Sequence, residues 1–165
     1  MKRMGSGFTI VELLIVIVVI AILAVISIAA YVSISDKAND SAVMSDLSNF
    51  GKKIELKKVE QGTVPSATTT DLRNIGINVA KQAYATDLII PGYSISYNML
   101  YCKTADSTNF AIVAWSKSGK AFVYTGGRVS PFTGNFASRL VVCPAIGMSN
   151  STNDNVWLFS GTWQI

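Results

Sequence analysis

Histidine is absent from this 165-residue chain. That absence removes the serine–histidine relay and every histidine-ligated metal centre. Proline is withheld until Pro65, so no proline interrupts a helix before that point. Cysteine is scarce: Cys102 and Cys143 are separated by 40 residues, and no second pair completes a tetrahedral zinc site. Gly119-Lys120 lacks both the upstream glycine and the following hydroxyl residue of a phosphate loop. No clustered acidic pair offers general acid–base chemistry either. Net charge is only +4, and Lys2 and Arg3 supply two of those charges. A chain so close to neutral beyond its first few residues suits packing against copies of itself better than gripping phosphates, and no specific nucleic-acid partner is implied.

What is abundant is apolar surface, and it is unevenly placed. Leu13 to Ile26 is apolar without a break, whereas the rest of the chain has an ordinary soluble composition. From Phe8 to Ile34 the only charge is Glu12, and neither glycine nor proline intervenes. As a helix, Leu13 to Val32 reaches ~30 Å, the thickness of a hydrocarbon core. Lys2 and Arg3 place the start of the chain on the cytoplasmic side and the remainder outside. Three readings compete: a cleaved secretory signal, for which Ser27-Ile28-Ala29 supplies small residues, a plain anchor, and a segment cut on its cytoplasmic side and retained. Glu12 argues against a disposable signal. A carboxylate in a membrane helix costs ~2–3 kcal/mol at the centre, less near an interface, and marks a functional site whose partner must be named.

Behind the short basic leader, Gly7-Phe8-Thr9-Ile10-Val11-Glu12-Leu13-Leu14 resembles the class III signal of type IV prepilins and type II secretion pseudopilins. The resemblance is strong over residues 1 to about 60 and generic beyond. It implies that a prepilin peptidase cuts after Gly7 and N-methylates Phe8, and that Glu12 is the subunit-assembly residue. Simple electrostatics agrees. Cutting there leaves an ammonium at Phe8 beside an apolar helix, and setting Glu12 of one subunit against the Phe8 amine of its neighbour relieves two charges at once. It also fixes axial register, as a buried polar residue does in a coiled coil.

Helical character continues past the membrane-length segment. Val43, Leu47, Phe50 and Ile54 fall at i, i+4, i+7 and i+11, a single apolar stripe that needs a partner. Asp36, Asp40 and Asp46 come early and Lys52, Lys53 and Lys57 late, mainly off the stripe, in agreement with the helix macrodipole. Gly62 and Pro65 supply a stop. Gly51 is the candidate position for a bend, glycine costing ~1 kcal/mol in a helix interior. The lysines at 52, 53, 57 and 58, interleaved with Glu55 and Glu60, read as a solvated face.

Beyond the stem, residues 62–92 read as a connecting loop with a short helix near Val79 to Ala85. Tyr93, Ile95, Tyr97, Met99 and Tyr101 alternate with Ser94, Ser96, Asn98 and Leu100, the period of a strand with one polar face. Phe110 to Trp115 and Ala121 to Tyr124 flank a glycine-containing turn and read as a hairpin. Leu140-Val141-Val142 and Val156 to Phe159 are further strand candidates. If the domain lies outside the membrane, Cys102 and Cys143 are expected to form a disulfide worth roughly 3–4 kcal/mol in chain entropy; two buried free thiols are the alternative.

The fold expected is α+β: a long amino-terminal helix, membrane-spanning in its first half, laid on an antiparallel sheet as in type IV pilins. Residues 1–7 form the leader, 8–34 the membrane or filament-core half of the stem, 35–61 its amphipathic half, 62–92 the loop and 93–165 the head. Residues 126–144 form a loop tied back by Cys102–Cys143, similar to the disulfide-bounded loop of many pilins. The resemblance implies a non-enzymatic filament subunit without a cofactor, held in the cytoplasmic membrane as a precursor and exposed on the cell surface once assembled. Its implied partners are copies of itself, the prepilin peptidase, an assembly platform protein, a cytoplasmic ATPase and the membrane. A type II secretion or competence pseudopilin is the alternative within the same architecture. A membrane-anchored extracytoplasmic enzyme or binding protein is the alternative from another class. Mass spectrometry of the mature chain should find N-methylated Phe8 at its start; an intact Met1, or a start at Ala30, contradicts cleavage after Gly7.

Overall fold

The computed structural model describes residues 9–66, 72, 74–76, 81–85, 97–134, 139–149 and 155–160. Residues 1–8 lie outside this set, as do those at which the strand period was read before Tyr97. The chain divides into two compact units, Met1–Asp36 and Lys37–Ile165. Helix α1, Ile10–Gln61, contributes to both.

In the first unit α1 is long and apolar enough to cross a membrane. Every large apolar side chain described from Ile10 to Ile34 is exposed, from 48% at Val16 to 85% at Ile10. Ser27 donates its hydroxyl to the Leu23 carbonyl one turn back (2.8 Å), so this polar group needs no water.

In the second unit the stripe is covered. Val43, Leu47, Phe50 and Ile54 are each at most 1% exposed. They pack with Met99, Tyr101, Phe110, Ile112, Ala114, Phe122 and Tyr124 in one core cluster. Those sheet residues come from β1 (Tyr97–Lys103), β2 (Phe110–Trp115) and β3 (Ala121–Thr125). With β4 (Arg128–Phe132) and β5 (Asn155–Ser160) they form one antiparallel sheet of order β4-β3-β2-β1-β5. Helix α1 ends where Gly62, at φ 77°, adopts the left-handed conformation and donates to the Lys58 carbonyl (2.8 Å). Gly126 and Gly127, both at positive φ, make the two-residue turn that sets Thr125 opposite Arg128. The β1–β2 turn holds the chain as it leaves α1: the Val64 amide donates to the Ser107 carbonyl (3.0 Å), and the Tyr101 hydroxyl to that of Pro65 (3.1 Å).

Three expectations are corrected. Among the described residues of β1, β2 and β3 the side away from α1 is not polar: Leu100, Cys102, Ala111, Val113 and Val123 are buried there with Val142 and Cys143. Residues 126–144 are not a plain loop, since they contain β4 and much of a short helix, α2 (Arg139–Ala145). Leu140-Val141-Val142 belongs to that helix and not to a strand. A three-residue apolar run carries no period of its own, and here the burial is consecutive rather than alternating: Leu140 and Val141 are exposed, Val142 and Cys143 buried. The Cys102–Cys143 disulfide, with Cα atoms 5.7 Å apart, ties α2 to β1. Near Val79 to Ala85 the described residues show a 3₁₀ turn, Lys81–Ala83.

Gly51 does not end or interrupt α1. It is buried, and a Cβ there would overlap the Tyr124 ring, so the glycine serves a close approach of helix and sheet. Tyr124 is held in place by the hydrogen bond from its hydroxyl to Glu55 (2.7 Å). Gly51→Ala should therefore destabilise the head by about 1–2 kcal/mol, the overpacking penalty exceeding the gain in helix propensity. Urea unfolding of the detergent-solubilised full chain, followed by tryptophan fluorescence, measures this; an unchanged or raised midpoint would mean that the ring moves aside freely.

Candidate assembly site

The helix begins with a reciprocal cap. Thr9 precedes Ile10, and its side-chain oxygen accepts from the Glu12 amide (3.2 Å). The Glu12 carboxylate accepts in return from the Thr9 amide (2.9 Å) and from its hydroxyl (2.7 Å). This is the Ser/Thr-x-x-Glu capping box, which satisfies amide donors that a helix start otherwise leaves orphaned. Glu12 was read from sequence as a carboxylate waiting for a partner; within one chain Thr9 already satisfies it. The signal that finds this role was present as Thr9-Ile10-Val11-Glu12 ahead of an apolar run. Gly7 and Phe8 lie outside the described residues.

Three further carboxylates of α1 grip the head. Asp40 accepts hydrogen bonds from the Ser118 hydroxyl and from the Lys120 ammonium (3.0 Å), both in or beside the β2–β3 turn. Asp46 accepts from the Tyr84 hydroxyl (3.0 Å), and Glu55 from that of Tyr124. The sequence placed Asp40 and Asp46 off the stripe and Glu55 on the solvated lysine face; all three serve as contacts to the head. The 81–85 segment is stitched to the same turn: the Lys117 amide donates to the Ala83 carbonyl (2.8 Å) and the Ala85 amide to that of Trp115 (3.1 Å). Burial, with Asp46 alongside, pushes the Tyr84 hydroxyl well above its ordinary value, and burial with Glu55 does the same to Tyr124. Burial alone raises Tyr101. At Asp40 burial works upward, but the Ser118 and Ser116 hydroxyls and the Lys120 ammonium together hold the carboxyl below the usual aspartate range.

On the lysine-rich face Lys57 pairs with Glu60 (2.7 Å), and Lys53 donates to the Gly76 carbonyl. Among the described residues no group of three or more cysteines, aspartates or glutamates is gathered to hold a metal ion.

Residues 2–28 match the family model for the prokaryotic N-terminal methylation motif, the class III signal of type IV pilins and pseudopilins. The match takes in the Gly7–Phe8 junction, Thr9, Glu12 and most of the apolar run. No curated protein and no solved structure matches the chain. The matched residues all lie in the amino-terminal segment, so the match bears on that segment and not on the head.

Asp40 yields a signed prediction. Its folded pKa lies below the ordinary 3.8, so its stabilisation is present above that value and is lost as pH falls through the lowered one. Asp40→Ala should lower stability at neutral pH by about 1–2 kcal/mol, mostly through lost hydrogen bonds, since the Lys120 partner is solvent-screened. The deficit should shrink in acid below pH 3.8. Denaturant titrations across pH check this, and a deficit independent of pH removes the ionised carboxylate from the account.

Proposed function

We propose that this chain is a structural subunit of a type IV pilus. Prepilin peptidase removes residues 1–7 and methylates Phe8. The membrane-held precursor then passes into an extracellular filament whose core is made of first-half stems. The observation that carries this reading is the exposure of every large apolar side chain described from Ile10 to Ile34 on a helix that opens with the methylation motif. Such a surface needs lipid or other copies of itself, and a polymer built from these stems offers the second. The disulfide that ties α2 into the carboxy-terminal half of the head supports a pilus subunit over a pseudopilin.

In this reading Glu12 has two successive partners. In the free subunit its carboxylate closes the capping box with Thr9; in the filament it faces the methylated Phe8 amine of a neighbour. Glutamine also closes a capping box but carries no charge. Glu12→Gln therefore separates the two roles in a way that Glu12→Ala does not. In a strain lacking the parent chain, Glu12→Gln should insert in the membrane and keep a folded head, while surface filament yield falls at least about tenfold for want of the charge pair. A normal filament yield sinks the Glu12 pairing. Finding this chain only as membrane-bound monomer under filament-forming conditions sinks the pilus reading itself.

A further inference from the structure

We infer that a polar cleft at the head end of α1 binds a small hydroxylated anion of the acidic-sugar class, received by Lys103, Lys57 and Ser107. The cleft has a volume of about 530 Å³, inside the ~300–1,000 Å³ range of small-ligand sites. Lys57 and Gln61 reach it from the last turns of α1, and Ser66 and Asn74 from the chain beyond. Lys103 comes from the end of β1 and Ser107 from the β1–β2 turn. All of these residues belong to the second unit, so the site stands or falls apart from the filament reading.

The described lining holds two ammonium groups and no carboxylate. Lys103 is only 9% exposed, although an ammonium is costly to take out of water. Its Nζ donates to the Ser107 hydroxyl (2.8 Å). Lys57 pairs with Glu60 across a surface that water screens, so that bond is weak and easily shared with a second anion. Lys53 adds a third cation nearby, its ammonium on the Gly76 carbonyl. Asp106, next to Ser107 in sequence, turns its carboxylate to the amide and hydroxyl of Thr108 (3.1 and 2.8 Å). The ammonium groups therefore favour negative charge in the occupant. The hydroxyls of Ser66 and Ser107 and the amides of Gln61 and Asn74 both donate and accept, which is what a polyol requires.

Ser107 shows that the arrangement is kept against a local preference. Its φ is 54°, and every other described residue at positive φ is a glycine. Glycine would take this turn with less strain. The Ser107 amide donates to the Thr104 carbonyl (2.9 Å), and its own carbonyl accepts from the Val64 amide (3.0 Å). Glycine could make both of those contacts. Only the hydroxyl that meets Lys103 and faces the cleft needs serine. Backbone strain retained for one side-chain oxygen marks a functional position.

Equilibrium dialysis of the detergent-solubilised full-length chain against glucuronate, glucose phosphate, glucose or inorganic phosphate tests the site. At least one of the two acidic sugars should bind saturably and about tenfold more tightly than glucose, as expected of a charge-assisted hydrogen bond. Ser107→Gly should weaken that binding at least about threefold for the lost hydroxyl. Its urea midpoint should stay level or rise, because glycine relieves the turn. Lys57→Gln should weaken binding as well, with the midpoint unchanged. Either acidic sugar upholds the proposal, and the one that binds identifies carboxylate or phosphate as the source of charge. Glucose bound as tightly as the acidic sugars overturns the anion. Inorganic phosphate bound as tightly as the better acidic sugar overturns the sugar class. No saturable binding, or undiminished binding by Ser107→Gly, overturns the site. A loss of binding that comes only with a lowered midpoint assigns the hydroxyl to folding and overturns it too.

Discussion

Val43, Leu47, Phe50 and Ile54 join α1 to the sheet, and the architecture of the head follows from how closely they approach it. Four large side chains inserted from one helix demand an opposing surface that is apolar and wide, which β1, β2 and β3 provide with Met99, Tyr101, Phe110, Ile112 and Tyr124. They also demand room, and Gly51 supplies it where the Tyr124 ring crosses the helix. Around this dry strip Asp40, Asp46 and Glu55 receive hydroxyl and ammonium donors from the head. Burial makes the seam strong, and the acids make it specific in register, because each meets donors from one place in the head.

The same helix has a first half with no such seam. No large apolar side chain described between Ile10 and Ile34 is covered by the chain itself. One continuous helix therefore carries two kinds of apolar surface, one satisfied internally and the other left for lipid or for further copies. Among the described side chains of α1, Asp40 is the first to be buried, and it stands close to where the satisfied part begins. The disulfide acts on the opposite side of the sheet, pinning α2 over Leu100, Cys102 and Val113 so that the sheet has buried faces on both sides.

Local rules made much of this legible. The i, i+4, i+7, i+11 spacing of the stripe identified the buried face of α1, and Gly62 with Pro65 marked its end, because both signals depend on neighbours in sequence. The β2–β3 hairpin was readable for the same reason. What escaped were features decided across long separations. Gly51 looks like a bend until Tyr124, far along the chain, is found against it. Glu55 looks solvated, and Asp40 and Asp46 merely off the stripe, until hydroxyl groups of the head arrive. Leu140-Val141-Val142 was too short to show a period, and the cover it helps to form over the second face of the sheet disguised the apparent polar side of β1. At the amino terminus the miss had another cause: Thr9-x-x-Glu12 states a helix cap openly, but the cost of a carboxylate in a membrane drew attention away from it.

The closed ring of hydrogen bonds between Thr9 and Glu12 gives each subunit a resting state of its own. On the proposed filament role, a new partner for Glu12 would gain only the difference between two satisfied arrangements. A shallow difference of this kind makes the step selective without making it irreversible. On the filament role proposed above, joining a polymer would exchange one satisfied arrangement of Glu12 for another.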